Sequence, residues 1–75
     1  MRKGGDETVK LRINGQQMEV ENSVRSIEDL LNFFQLQERI VVVERNGEIV
    51  SKEQYSIQTL NDGDQIEIVH FVGGG

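Results

Sequence analysis

The sequence contains no cysteine and a single histidine, His70. Without cysteine there are no disulfides, no thiolate nucleophile and no cysteine persulfide. No cluster of histidine and carboxylates has the spacing of metal ligands. No apolar run approaches the ~20 residues that a membrane-spanning helix needs, so no membrane partner is expected. No basic start leads into an apolar signal region, and a cytoplasmic location is the expectation. Basic charge is also scarce. Residues 1–12 hold four basic and two acidic groups, whereas residues 13–75 hold four basic and eleven acidic groups. That balance has the wrong sign for binding a phosphate backbone, which argues against a nucleic-acid partner. The acidic surface either steers the domain to a basic partner or serves only to keep a small protein dissolved.

What is present fits one small domain. The chain has 75 residues, 36% apolar and 28% charged, within the range of ordinary globular domains. Folding at this size removes only a little over ~60% of the unfolded surface from water, so the core is small. Residues 1–7 (MRKGGDE) have no periodicity and read as a disordered N-terminal extension. The folded domain is expected over residues 8–72, followed by a flexible tail, residues 73–75.

Thr8 to Ile13 alternates, with Val9, Leu11 and Ile13 on one face and Lys10 and Arg12 on the other. Asn14-Gly15 then signals a type I′ hairpin turn. Counting outward pairs Leu11 with Met18, Val9 with Val20 and Lys10 with Glu19, so apolar meets apolar and opposite charges meet. Ser26, three residues before Asp29, reads as a helix cap. Ile27, Leu30, Leu31 and Phe34 follow at helical spacing, predicting a helix from about Ile27 to about Gln35 with Phe33 filling the edge of the core. Ile40 to Val43 is a continuous β-branched run, apolar on both faces. Asn46-Gly47 predicts a second hairpin, pairing Val43 with Val50 and Glu44 with Ile49. Residues 51–60 are irregular, with room for one short helical turn and with Tyr55, Ile57 and Leu60 as anchors. Asp62-Gly63 marks a turn. The last strand, Gln65 to Phe71, puts Ile66, Ile68 and His70 on one face and Glu67, Val69 and Phe71 on the other.

One amphipathic helix covers only one face of such a sheet. The order strand, strand, helix, strand, strand, irregular segment, strand is that of the ubiquitin-like β-grasp, an α+β fold with a mixed five-stranded sheet. Its final strand lies beside the first, and the chain end projects from the sheet.

Three readings of Gly73-Gly74-Gly75 stand side by side: fraying residues, a join to a further segment, or a tail whose terminal carboxylate reacts. An α-carboxylate is ionised at neutral pH and a poor electrophile until it is activated, as by adenylation with ATP. Glycines suit a tail that threads a narrow protein channel, because no side chain obstructs it and no backbone conformation is barred. Val69 and Phe71 point away from the helix-covered face and, with the outer face of residues 40–43, offer a docking patch. His70 has no serine or cysteine to serve, and no catalytic residue is assigned.

The stretch Ile66-Glu67-Ile68-Val69-His70-Phe71-Val72-Gly73-Gly74-Gly75, together with Ile40-Val41-Val42-Val43-Glu44-Arg45-Asn46, resembles the sulfur carrier proteins of thiamine biosynthesis, the ThiS family. The likeness extends from about Val9 to Gly75; residues 1–7 look like an addition. The resemblance implies a protein co-substrate rather than an enzyme. An E1-like adenylyltransferase (ThiF), using ATP, would adenylate the carboxylate of Gly75. Sulfur from a donor such as a cysteine desulfurase system would then replace AMP to give a thiocarboxylate. Thiazole synthase (ThiG) would accept that sulfur into the thiazole of thiamine. The carrier itself would bind no cofactor and no metal. Gly73 and Gly74 match the family's tail, and Phe71 and Val72 match its base, where Val69 adds to the partner-binding surface. Alternatives are a sulfur carrier for molybdopterin synthesis and a ubiquitin-like interaction or conjugation module.

Overall fold

The computed structural model describes residues 8–71. The expectations for residues 1–7, for Val72 and for Gly73 to Gly75 lie outside the described residues. The elements are β1 (Thr8–Ile13), β2 (Gln16–Glu21), α1 (Ile27–Phe33), β3 (Val41–Arg45), β4 (Glu48–Val50), a 3-10 turn (Lys52–Gln54) and β5 (Gln65–His70). They form one five-stranded sheet in the order β2-β1-β5-β3-β4. The last strand is central and runs parallel to β1 and antiparallel to β3, which is the β-grasp arrangement.

Both hairpins have the register that their turns dictate. Lys10 faces Glu19 and Leu11 faces Met18 across the first, and Val43 faces Val50 across the second. Asn14 and Asn46 have φ of 50° and 52°, and the glycines after them also have positive φ, as type I′ turns require. The apolar face of the sheet and the inner stripe of α1 close on one core. Leu11, Val20, Ile27, Leu30, Val43 and Ile66 are its most deeply buried members. Each fully buried side chain of this kind contributes ~1.5–3 kcal/mol, set against a backbone entropy cost of ~1–2 kcal/mol for every ordered residue.

The cap of α1 forms as expected at its start: the Asp29 amide donates to Ser26 Oγ at 3.1 Å. The returning carboxylate bond reaches one residue further back, to the Arg25 amide at 3.0 Å. At its other end the helix stops two residues earlier than the apolar spacing predicts. Gln35 adopts φ of 61°, its amide donates to the Asn32 carbonyl, and the Leu36 amide donates to the Leu31 carbonyl at 2.7 Å. This is a Schellman closure, with glutamine where glycine is usual. It is why the sequence carries no stop signal there. Two anchors are placed differently from the sequence reading. Phe33 is half exposed and packs edge-on against Phe34, ring centroids 5.2 Å apart, rather than filling the core. Ile57 is exposed, while Leu60 is buried and Tyr55 partly so.

The buried Asp64 carboxylate ties the second hairpin to the start of β5. It accepts from Arg45 Nε at 3.0 Å, from Asn46 Nδ2 at 3.1 Å and from the Asn61 amide at 2.9 Å. Asn46 Oδ1 accepts from the Gln65 amide at 2.9 Å. Arg45 also donates from Nη1 to Gln58 Oε1 at 3.1 Å. The Val-Glu-Arg-Asn stretch noted in the sequence is therefore a structural clamp through its last two residues.

Candidate functional site

The site is built at the end of β5. Val69 faces Val42 and His70 faces Val41 across the antiparallel ladder. The Phe71 amide continues it with a bond to the Ile40 carbonyl at 3.2 Å. Strand alternation then sorts the side chains. Ile66 and Ile68 go into the core, and Val69 and Phe71 go to the face that α1 does not cover. Phe71 is 57% exposed, Val69 55%, Ile40 76% and Val42 38%. Ile49, opposite Glu44 on β4, extends the same face and is 71% exposed. These side chains form an apolar band that crosses three strands beside the segment leading to residues 72–75, and contiguous bands of this kind mark interaction sites when they are large.

Further along the same face the character changes. Glu44 faces Glu67 directly, a like-charge pair that disfavours the sheet locally. The band is thus apolar towards the end of β5 and acidic behind it. Val69 and Phe71 are brought together with Ile40 and Val42 as the alternation predicts. Ile49 escaped the sequence reading of the patch, although its pairing with Glu44 already fixed its face. His70 lies on the other side of β5, at the lip of a shallow cleft lined by Ile13, Met18, Phe34, Leu36 and Ile68. Its ring makes no hydrogen bond to another described residue. The cleft also takes in Asn14 and Gln16, and among the described residues it supplies no nucleophile for the ring to activate.

The site is therefore an exposed apolar surface, with no reaction centre assembled among the described residues. Comparison with known proteins gives it a context. The sequence model of the ThiS family matches residues 11–75. The chain is 51% identical over 65 residues to the sulfur carrier protein ThiS of Bacillus subtilis, covering 87% of this chain and 98% of that one. The chain belongs to the ThiS family. The fold agrees with that membership. The crystal structure of the thiamine biosynthesis protein ThiS from Geobacter metallireducens superposes with a TM-score of 0.73 at 32% identity, covering 89% of this chain and 100% of that one. A further ThiS-like match lies in a larger protein. The thiazole synthase of Paramagnetospirillum magneticum is 46% identical over 67 residues, which are 89% of this chain but only 20% of that protein.

Family membership changes how the apolar band reads. A carrier has to be recognised by other proteins, and the band lies beside the segment of the chain that leads to residues 72–75.

Proposed function

We propose that this ThiS-family chain is a sulfur carrier of thiamine biosynthesis whose cargo is held on the carboxylate of Gly75. One observation carries the reading: the exposed apolar band of Ile40, Val42, Val69 and Phe71 lies where the chain leaves the sheet towards Gly75. The chain acts as a protein co-substrate. A carboxylate oxygen of Gly75 attacks the α-phosphate of ATP on a partner adenylyltransferase and pyrophosphate leaves. Sulfide (HS⁻), released from cysteine by the donor system, then attacks the acyl carbon and AMP leaves, so that one oxygen of the terminus is replaced by sulfur and the thiol proton is lost to water. ATP binds to the partner, and the carrier needs no cofactor of its own. Gly73 and Gly74 thread the partner's channel, and Val69, Phe71 and Val72 dock at its mouth.

Thiazole synthase is the acceptor that the comparisons favour, because a protein of that name contains a segment similar to this chain. That similarity also supports the thiamine route over the molybdopterin one and over a conjugation module. The carrier and its partners work in the cytoplasm, where ATP and thiol donors are available.

The decisive experiment is intact-mass analysis after incubation with ATP, the adenylyltransferase and a sulfur source. The expected result is replacement of one oxygen by sulfur at the C-terminal residue. An unchanged mass under conditions that load a known carrier would sink the proposal. The band makes its own prediction. Phe71→Asp or Val69→Asp is expected to raise KM for adenylation roughly 30-fold, the effect of losing one interface hot spot. The melting temperature should stay close to that of the parent, since both side chains are exposed in the free protein. Unchanged kinetics in both variants would remove the band from the docking surface.

A further inference from the structure

The carboxamide of Asn14 acts in place of a strand residue that β1 does not have. β1 pairs with β5 only at Arg12↔Gln65 and Ile13↔Ile66. On this side the Arg12 amide donates to the Asp64 carbonyl and the Asn14 amide to the Ile66 carbonyl, both at 2.9 Å. At Asn14 the backbone then turns away into the hairpin, with φ of 50°. The side chain continues the ladder where the backbone leaves it. The Ile68 amide donates to Asn14 Oδ1 at 2.8 Å, and Asn14 Nδ2 donates to the Ile68 carbonyl at 3.1 Å. A carboxamide offers one acceptor and a donor in the same arrangement as a peptide group, so it occupies the next rung.

Beyond this rung the support of β5 becomes one-sided. The next backbone groups on the β1 side belong to His70, and no described residue of β1 pairs with them. Among the described residues, the backbone of Val69, His70 and Phe71 pairs with β3 and Ile40. Asn14 therefore marks the point where β5 stops being a central strand and becomes the root of whatever follows it.

We propose that Asn14 is a positioning residue for sulfur loading: its two bonds to Ile68 set the direction in which β5 leaves the sheet, and so aim the tail at the partner's site. The proposal rests on the reading of Gly75 as the loaded group. Seven residues follow Ile68, and a fully extended run of that length would span ~23 Å at ~3.3 Å each. A swing of about 10° at the root would displace the far end of such a reach by ~4 Å, enough to lower the fraction of docking encounters in which the tail meets the channel mouth, and so to raise KM. Glycines cannot supply the aim, because they restrict nothing. It has to come from the rigid root. The position selects asparagine on two independent grounds. Few residues other than glycine tolerate its positive φ. Among those that do, glycine has no side chain and aspartate lacks the donor for the Ile68 carbonyl.

The test compares Asn14→Gly, Asn14→Asp and a stability control, Leu60→Ala, which removes a buried core side chain. Two quantities are read: hydrogen exchange at the Ile68 amide, and the kinetics of Gly75 adenylation. In Asn14→Gly, Ile68 should exchange about tenfold faster, and KM should rise about tenfold for the loss of two hydrogen bonds. Its kcat should stay within about threefold, since a seated tail takes its geometry from the channel. Asn14→Asp keeps the acceptor for the Ile68 amide and should fall between Asn14→Gly and the parent. Leu60→Ala should lower the melting temperature yet leave KM unchanged, which separates aim from stability. The proposal is overturned if Asn14→Gly retains a KM within about twofold of the parent, or if Leu60→Ala raises KM as much as Asn14→Gly does. The parent reaction is run first. If the parent itself is never adenylated, it is the sulfur-carrier reading that fails; if it is adenylated, a null result in the variants counts against the clamp alone.

Discussion

A chain shortened by one residue, ending at Gly74, is expected to lose sulfur loading by at least ~100-fold while its melting temperature stays the same. The shortened chain still ends in an α-carboxylate with the same intrinsic chemistry. Only its reach differs, by the ~3.3–3.6 Å that one extended residue spans. Adenylation requires the carboxylate oxygen within ~3–3.5 Å of the α-phosphorus and in line with the leaving pyrophosphate. A carboxylate held one residue short can meet that distance only by pulling the docked body out of place. Stability should not change, because the buried apolar residues of the core all fall within residues 11–68. Gly75→Ala keeps the reach and adds a methyl group beside the reacting carbon, so its loss should be smaller than that of the truncation. Intact-mass time courses on the three proteins give the ranking. Equal loading of the full and shortened chains would show that Gly75 is not the group delivered.

The second large effect falls on stability. Asp64→Ala is expected to destabilise the fold by about 3 kcal/mol, near the lower end of the range for breaking a buried ion pair. The Asp64 side chain is 9% exposed and that of its partner Arg45 is 22% exposed, so the orphaned guanidinium regains part of its hydration and the upper range does not apply. Asn46 Nδ2 and the Asn61 amide also lose their acceptor, and each unsatisfied donor adds to the cost. Domains in general carry only ~5–15 kcal/mol of stability, and one this small sits at the low end. The loss corresponds to a fall of roughly 15 °C in melting temperature for a chain of this size. Asp64→Asn retains one acceptor oxygen and should lose clearly less. Urea unfolding monitored by circular dichroism checks both variants. A cost below about 1 kcal/mol for Asp64→Ala would place the pair among surface ion pairs of little consequence.

Much of this architecture was legible because its determinants are local. The two Asn-Gly turns fix hairpin registers by backbone chirality alone, so the pairings of Leu11 with Met18 and Val43 with Val50 follow by counting. Ser26 and Asp29 announce the start of α1 through a bond between near neighbours. The alternation of Gln65 to Phe71 assigns Val69 and Phe71 to one face and Ile66 and Ile68 to the other without any knowledge of the sheet. The helix end was hidden, because Gln35 takes a left-handed conformation that its residue type does not advertise. Phe33 and Ile57 misled for a related reason. An apolar side chain at the margin of a periodic stripe is fully buried only if another element covers it, and none of the described elements fully covers Phe33 or Ile57.

For the end of β5, the sequence by itself determined the chemical character of what lies there: an apolar pair, a histidine on the opposite face, three glycines and no cysteine to hold sulfur elsewhere. It also determined that Asn14 turns the chain, since a positive φ before glycine is a local property. Only the tertiary structure decided that the Asn14 carboxamide reaches a strand 54 residues away, that Asp64 gathers Arg45, Asn46 and Asn61 around one carboxylate, and that Val69 and Phe71 meet Ile40, Val42 and Ile49 in one band. Those contacts depend on which strands become neighbours. That choice is made by the closing of one small core around a central last strand, a global event that no single stretch of the chain encodes.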